Sequence, residues 1–208
     1  MSWTAISLQP PAPDHGRTSV VTRASSALAL TAALLLAACN PPSPDAAARP
    51  ATSAEAPGLL VPEMSADATW WLNGPPSPLT AARGDVVLID AWDRLCAPCI
   101  ASVPAVLALK SRYEARGLRV VSVTAFDDVA GEREVVAASA REARMTYPCF
   151  LDKGSVWQHA AGTSGMIPMF LIVDRGGRLA FSGKGLLLQG TSAFDNLAAA
   201  IERALGSS

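Results

Sequence analysis

Val86-Val87-Leu88-Ile89-Asp90-Ala91-Trp92-Asp93-Arg94-Leu95-Cys96-Ala97-Pro98-Cys99 opens on an uncharged apolar run and closes on two cysteines three positions apart. A short apolar run without polar alternation reads as a strand buried on both faces. Beyond the cysteines, Val103, Val106, Leu107 and Leu109 fall on one stripe at helical spacing, with Lys110, Arg112 and Glu114 elsewhere, to about Arg116. A strand that feeds a helix through a cysteine-bearing turn is the unit around which the rest of the chain is arranged.

Gly117 sits where a helix C-cap is expected, and Leu118-Arg119-Val120-Val121-Ser122-Val123 reads as a second strand. A helix is expected over 131–145, a short strand around Tyr147 to Leu151, and a minor helix near Val156 to Ala161. Met169-Phe170-Leu171-Ile172-Val173 is a further strand, and Arg175-Gly176-Gly177 turns it into a hairpin partner over 178–182. The last helix is expected from about Ser192 to Leu205. Strand, helix, strand, helix, then hairpin and helix imply an α/β sandwich around a mixed sheet.

The two cysteines carry a definite chemistry. Residues three apart share a helix face with β-carbons about 5–6 Å apart, and a small adjustment reaches the roughly 3.8 Å that a disulfide needs. Cys96, at the helix mouth, meets unpaired amides and the positive end of the helix dipole, which favour a thiolate. Cys96 is therefore expected as the nucleophile. Cys99, one turn deeper, is expected as the thiol that resolves the mixed disulfide.

On these residues the chain resembles the thioredoxin superfamily, and within it the TlpA-like membrane-associated thiol-disulfide oxidoreductases, from about Trp70 to Leu205. Cys96-Ala97-Pro98-Cys99 matches the redox motif, and Asp90, six residues before Cys96, takes the place of the buried acid. Pro104 matches the proline of the active-site helix, and Gly165-Met166-Ile167-Pro168 the loop with a cis-proline. The resemblance implies a thioredoxin-like three-layer sandwich with a central mixed β-sheet. It implies that Asp90 takes the proton of the resolving thiol; a solvated or capping acid at a strand end is the other reading. It implies that Ala97, Pro98, Ile167 and Pro168 face the substrate, with Ile167 offering backbone groups to an extended segment. Trp92 is read as core or as lining the thiol site. Leu95 and Met169 depart from the family, which commonly has an aromatic residue and Thr there.

Ahead of this domain the chain reads as an address. Arg17 and Arg23 precede an uncharged run from Ala24 to Ala38, about 15 residues long and short for a membrane span. Leu36-Ala37-Ala38-Cys39 looks like a lipoprotein cleavage box, with Cys39 as the lipidation site; a plain secretory signal is the other reading. Residues 39–66 are rich in Pro, Ala and Ser and are expected to form a tether, so the organisation expected is 1–38 signal peptide, 39–66 tether and 67–208 thioredoxin-like domain. The place implied is the bacterial cell envelope, with the domain on the periplasmic or extracytoplasmic side.

Composition bounds the rest. With Lys+Arg 17 against Asp+Glu 18, the chain lacks the basic excess of a nucleic-acid binder. Zinc wants four ligands, and beyond the pair only Cys149, His159 and the distant His15 are available, so no metal and no cofactor are expected. Cys149 reads as a small buried hydrophobe, and Trp70 and Trp71 as core. The expected partners are protein thiols and disulfides, a thiol-disulfide electron donor in the membrane, and the membrane itself through Cys39. Two alternatives share the fold. A copper-delivery protein generally has wider cysteine spacing and a distant His. A peroxiredoxin-like peroxidase usually has Thr where Asp93 stands. Between oxidase and reductase, the absence of His between the cysteines points to a reductase.

Overall fold

A computed structural model describes residues 58–206. The expected signal segment, Cys39 and the expected tether up to residue 57 lie outside the described residues. The elements run β1 (Trp71–Leu72), β2 (Val86–Trp92), α1 (Ala97–Tyr113), β3 (Leu118–Phe126), α2 (Glu132–Glu142), β4 (Cys149–Lys153), α3 (Val156–Ala160), β5 (Met169–Val173), β6 (Leu179–Lys184) and α4 (Ser192–Gly206). The six strands form one mixed sheet in the order β1-β4-β3-β2-β5-β6. β2, β3 and β4 are parallel, and β1, β5 and β6 join antiparallel.

β2 is central and every one of its residues is buried, the apolar run Val86–Ile89 and the acid Asp90 alike. Alternation along it divides the core. Val86, Leu88 and Trp92 join Val103, Val106 and Leu109 of α1, Val136 of α2 and Leu197 and Ile201 of α4 on one face. Val87, Ile89 and Ala91 pack on the other with Leu171, Val121 and Trp157 of α3. These are the three layers expected of a thioredoxin-like fold.

α1 starts with Pro98 in its first turn, where the missing N–H costs nothing, and contains Pro104. It passes through a 3-10 turn, Glu114–Arg116, to Gly117 at φ 95, a left-handed position that glycine occupies without penalty. That cap drops the chain into β3 beside β2.

Two features differ from the expectations. Trp71 and Leu72 form a two-residue edge strand on β4, too short to leave a periodic signal. The residues before 67 are also not all tether. Met64 is 1% exposed. Glu63 accepts from the backbone N–H groups of Leu79 and Thr80, and the indole of Trp157 donates to the carbonyl of Pro62 at 2.7 Å. Leu60 bridges to Arg178 on the β5–β6 hairpin. The packed domain thus begins well before the expected boundary at residue 67. Val61-Pro62-Glu63-Met64 carries too few apolar residues to show a period, yet Met64 joins the core with Trp71, Leu79 and Trp157.

Candidate active site

β2 ends at Trp92, and the chain turns at once. Asp93 accepts from Leu95 N through its carboxylate at 2.7 Å and from Cys96 N through its carbonyl at 3.0 Å. This turn presents Cys96 as the N-cap of α1, with its sulfur accepting from the backbone N–H of Cys99 at 3.2 Å. Cys96 and Cys99 are joined in a disulfide, with an S–S distance of 2.02 Å and α-carbons 5.2 Å apart. Cys96 is half-buried, whereas Cys99 is 1% exposed and belongs to the helix-side core. Ala97 and Pro98 are exposed beside them.

The peptide bond between Ile167 and Pro168 is cis. Register places this loop at the dithiol end of the sheet, since Ala91 of β2 pairs with Met169 and Pro168 is one residue further. Ile167 is exposed and Pro168 buried. Met169 points into the opposite core layer, away from the layer that holds Cys99.

Asp90 is 1% exposed and lies on the helix-side face, in register with Ser122 of β3, which pairs in turn with Cys149 of β4. The phenol of Tyr147 donates to Asp90 Oδ2 at 2.8 Å, and Asp90 Oδ1 has no hydrogen-bond partner. Burial pushes the Asp90 carboxyl up to about 7, against a smaller downward pull from the Tyr147 hydroxyl. Burial likewise pushes the Cys149 thiol up to about 11, so Cys149 is the small buried thiol expected from its strand.

Trp92 is 1% exposed. Of its two readings the core one describes it, and it leaves the set of residues that a substrate could touch. Trp71 is core and Trp70 only half-buried. His159 is exposed and bonds through Nδ1 to the Ser155 carbonyl.

Two contributors were not visible in the sequence. Tyr147 is 57 residues from Asp90, and nothing in its local string pairs it with an acid. Ser102, in α1, donates to the Pro98 carbonyl at 2.8 Å and accepts from Leu187 N at 3.0 Å. It thereby ties the redox turn to the segment 185–190, which Gly185 N also ties to the Pro168 carbonyl at 2.9 Å. A serine one turn after a proline is a weak local signal; the partner across 85 residues is not one.

The redoxin family model matches residues 60–201. No curated protein matches the chain by sequence. Among solved structures, a Chlorobium tepidum protein assigned as the thiol:disulfide interchange protein DsbE is similar, with a TM-score of 0.60 and 22% identity over 72% of this chain and 98% of that one. The thioredoxin domain of a thiol-disulfide oxidoreductase from Bacteroides vulgatus matches with a TM-score of 0.56 and 20% identity, over 70% and 98% of the two chains. A DsbF homologue from Corynebacterium diphtheriae follows with a TM-score of 0.57 and 18% identity, over 70% and 87%. The fold is thioredoxin-like.

Proposed function

The chain belongs to the redoxin family, and from that premise we propose that it is an extracytoplasmic thiol-disulfide oxidoreductase that reduces protein disulfides. The observation that carries this reading is the Cys96–Cys99 bridge at the mouth of α1, with Cys96 half-buried and Cys99 buried. Reduced Cys96 attacks a substrate disulfide; Cys99 then attacks Cys96 and frees the substrate as a dithiol. Asp90 takes the proton of Cys99, as a buried carboxyl that titrates near neutrality can.

A protein substrate is favoured by the surroundings. Leu95, Met166, Ile167, Leu186 and Leu188 are all exposed large apolar residues, on the redox turn, the cis-proline loop and the segment 185–190 that Ser102 and Gly185 tie to them. Such a rim suits an extended polypeptide with apolar side chains beside its cysteines. Ala97, Pro98 and Ile167 form the proposed contact surface, with Pro168, itself buried, setting the backbone of Ile167 through its cis bond. The membrane placement rests on the sequence: a leader ending at Ala38 and a lipid on Cys39, with electrons supplied by a membrane thiol-disulfide donor and apocytochrome c or misoxidised proteins as substrates.

The test is the reduction potential of the Cys96–Cys99 pair in glutathione or dithiothreitol buffers. A reductase is expected toward about -270 mV, and a value near about -120 mV would sink the assignment. Cell fractionation of Cys39→Ser tests the anchor: the variant should leave the membrane fraction, and retention there would remove lipidation from the account.

A further inference from the structure

Asp90 is held by a single side chain. Tyr147, 0% exposed, reaches it from the loop before β4 and donates to Oδ2 alone. We propose that Tyr147 is a positioning residue for the thiol chemistry: by occupying Oδ2 it fixes the carboxyl plane and leaves Oδ1 as the oxygen that takes the proton of Cys99. This rests on the proposed role of Asp90.

An aspartate carboxyl has a broad, two-fold torsion, so either oxygen could serve without a fixed partner. The phenol removes that freedom. Burial holds the Tyr147 proton in place well above neutral pH, so the phenol donates throughout the working range. The other titratable group that feels Asp90 among the described residues is Cys149 on β4, kept as a neutral thiol by burial. Ser122, next in register on β3, is uncharged. Apart from the dithiol on α1, the charge that changes here near neutrality is therefore that of Asp90.

In the mixed disulfide, Cys99 transfers its proton to Asp90 Oδ1 and its sulfur bonds to the sulfur of Cys96. The bond between Cys96 and the substrate sulfur breaks, and that sulfur leaves with the electron pair and is protonated by water. The substrate disulfide gains two electrons and the enzyme dithiol loses them. Asp90 gives its proton to solvent before the next turn.

The experiment uses the reduced full chain and an aromatic disulfide whose thiolate is coloured. Attack by Cys96 releases the first coloured thiolate, and resolution by Cys99 the second. The second phase is followed from pH 5 to 9. In the wild type it should rise with a midpoint near 7. Tyr147→Phe removes a donor that favours the carboxylate, so its midpoint should move up and the second phase at pH 6.5 should slow by about five- to tenfold, with the first phase unchanged. Since the chain has 2 tyrosines, fluorotyrosine incorporated in a Tyr113→Phe background alters Tyr147 alone. This more acidic donor should move the midpoint down, a readout available even if Tyr147→Phe folds poorly. Coincident second-phase profiles for the wild type and both forms would overturn the proposal. If Asp90→Asn leaves the second phase unmoved, the acid role itself is wrong, and a wild type without a second phase removes the redox reading altogether.

Discussion

The sulfur of Cys96 lies 3.2 Å from the backbone N–H of Cys99 and accepts from it, so the outer sulfur is held by the amides of the helix whose first turn contains the inner one. In the reduced protein the same amide would stabilise a Cys96 thiolate, while burial opposes charge on Cys99. Iodoacetamide at pH 6.5 is expected to label Cys96 well before Cys99, read by peptide mass mapping. Equal labelling, or Cys99 first, would reverse the roles. Cys99→Ala should accumulate mixed disulfides through Cys96.

Asp90 makes stability depend on pH. Its carboxyl has an ordinary value of 3.8 and is raised to about 7 in the fold. Between about pH 4 and 7 the folded chain thus keeps a proton that the unfolded chain has lost, and stability falls as pH rises through that window. Asp90→Asn removes the dependence. In the oxidised form the stability of this variant relative to wild type should rise by about 3 kcal/mol between pH 5 and pH 8, measured by urea unfolding at the two pH values. Parallel behaviour of the two proteins would show that the carboxyl is not burdened by burial.

Met64 tests where the packed domain starts. It is 1% exposed, and Met64→Ala should cost about 2–4 kcal/mol in urea unfolding. A loss below about 0.5 kcal/mol, the usual effect of an exposed site, would return this segment to the tether.

Ser102→Ala would leave the buried N–H of Leu187 unpaired, at a cost of about 1–3 kcal/mol. Because Ser102 also bonds to the Pro98 carbonyl, the variant should lose more rate on a protein disulfide than on a small aromatic disulfide. An equal loss on both would detach the segment 185–190 from substrate recognition.

What could be read in advance was local. The apolar run at Val86, the cysteines three apart and the Ile167-Pro168 dipeptide each announce a strand, a redox turn and a loop within a few residues, and the sheet forms around them. Contacts that close over long distances left no such trace. Tyr147 finds Asp90 only because β4 lies beside β3, and β3 beside β2. Ser102 finds Leu187 only when α1 and the stretch after β6 share a face. Trp92 was ambiguous because an aromatic at a strand end serves a core or a rim equally well. The segment around Met64 looked like tether because two prolines flank its few apolar residues at positions 57 and 62.

The bridge between Leu60 and Arg178 fixes where the described chain joins the sheet. Arg178 lies on the hairpin beyond Val173, and Val173 pairs with Val87 near the start of β2. The sulfurs follow the far end of that strand, about 20 Å away at 3.3 Å per residue. The polypeptide therefore enters from the pole opposite its reactive thiols. Whatever engages the dithiol therefore does so on the side away from Leu60, clear of the strand ends where the described chain joins the fold.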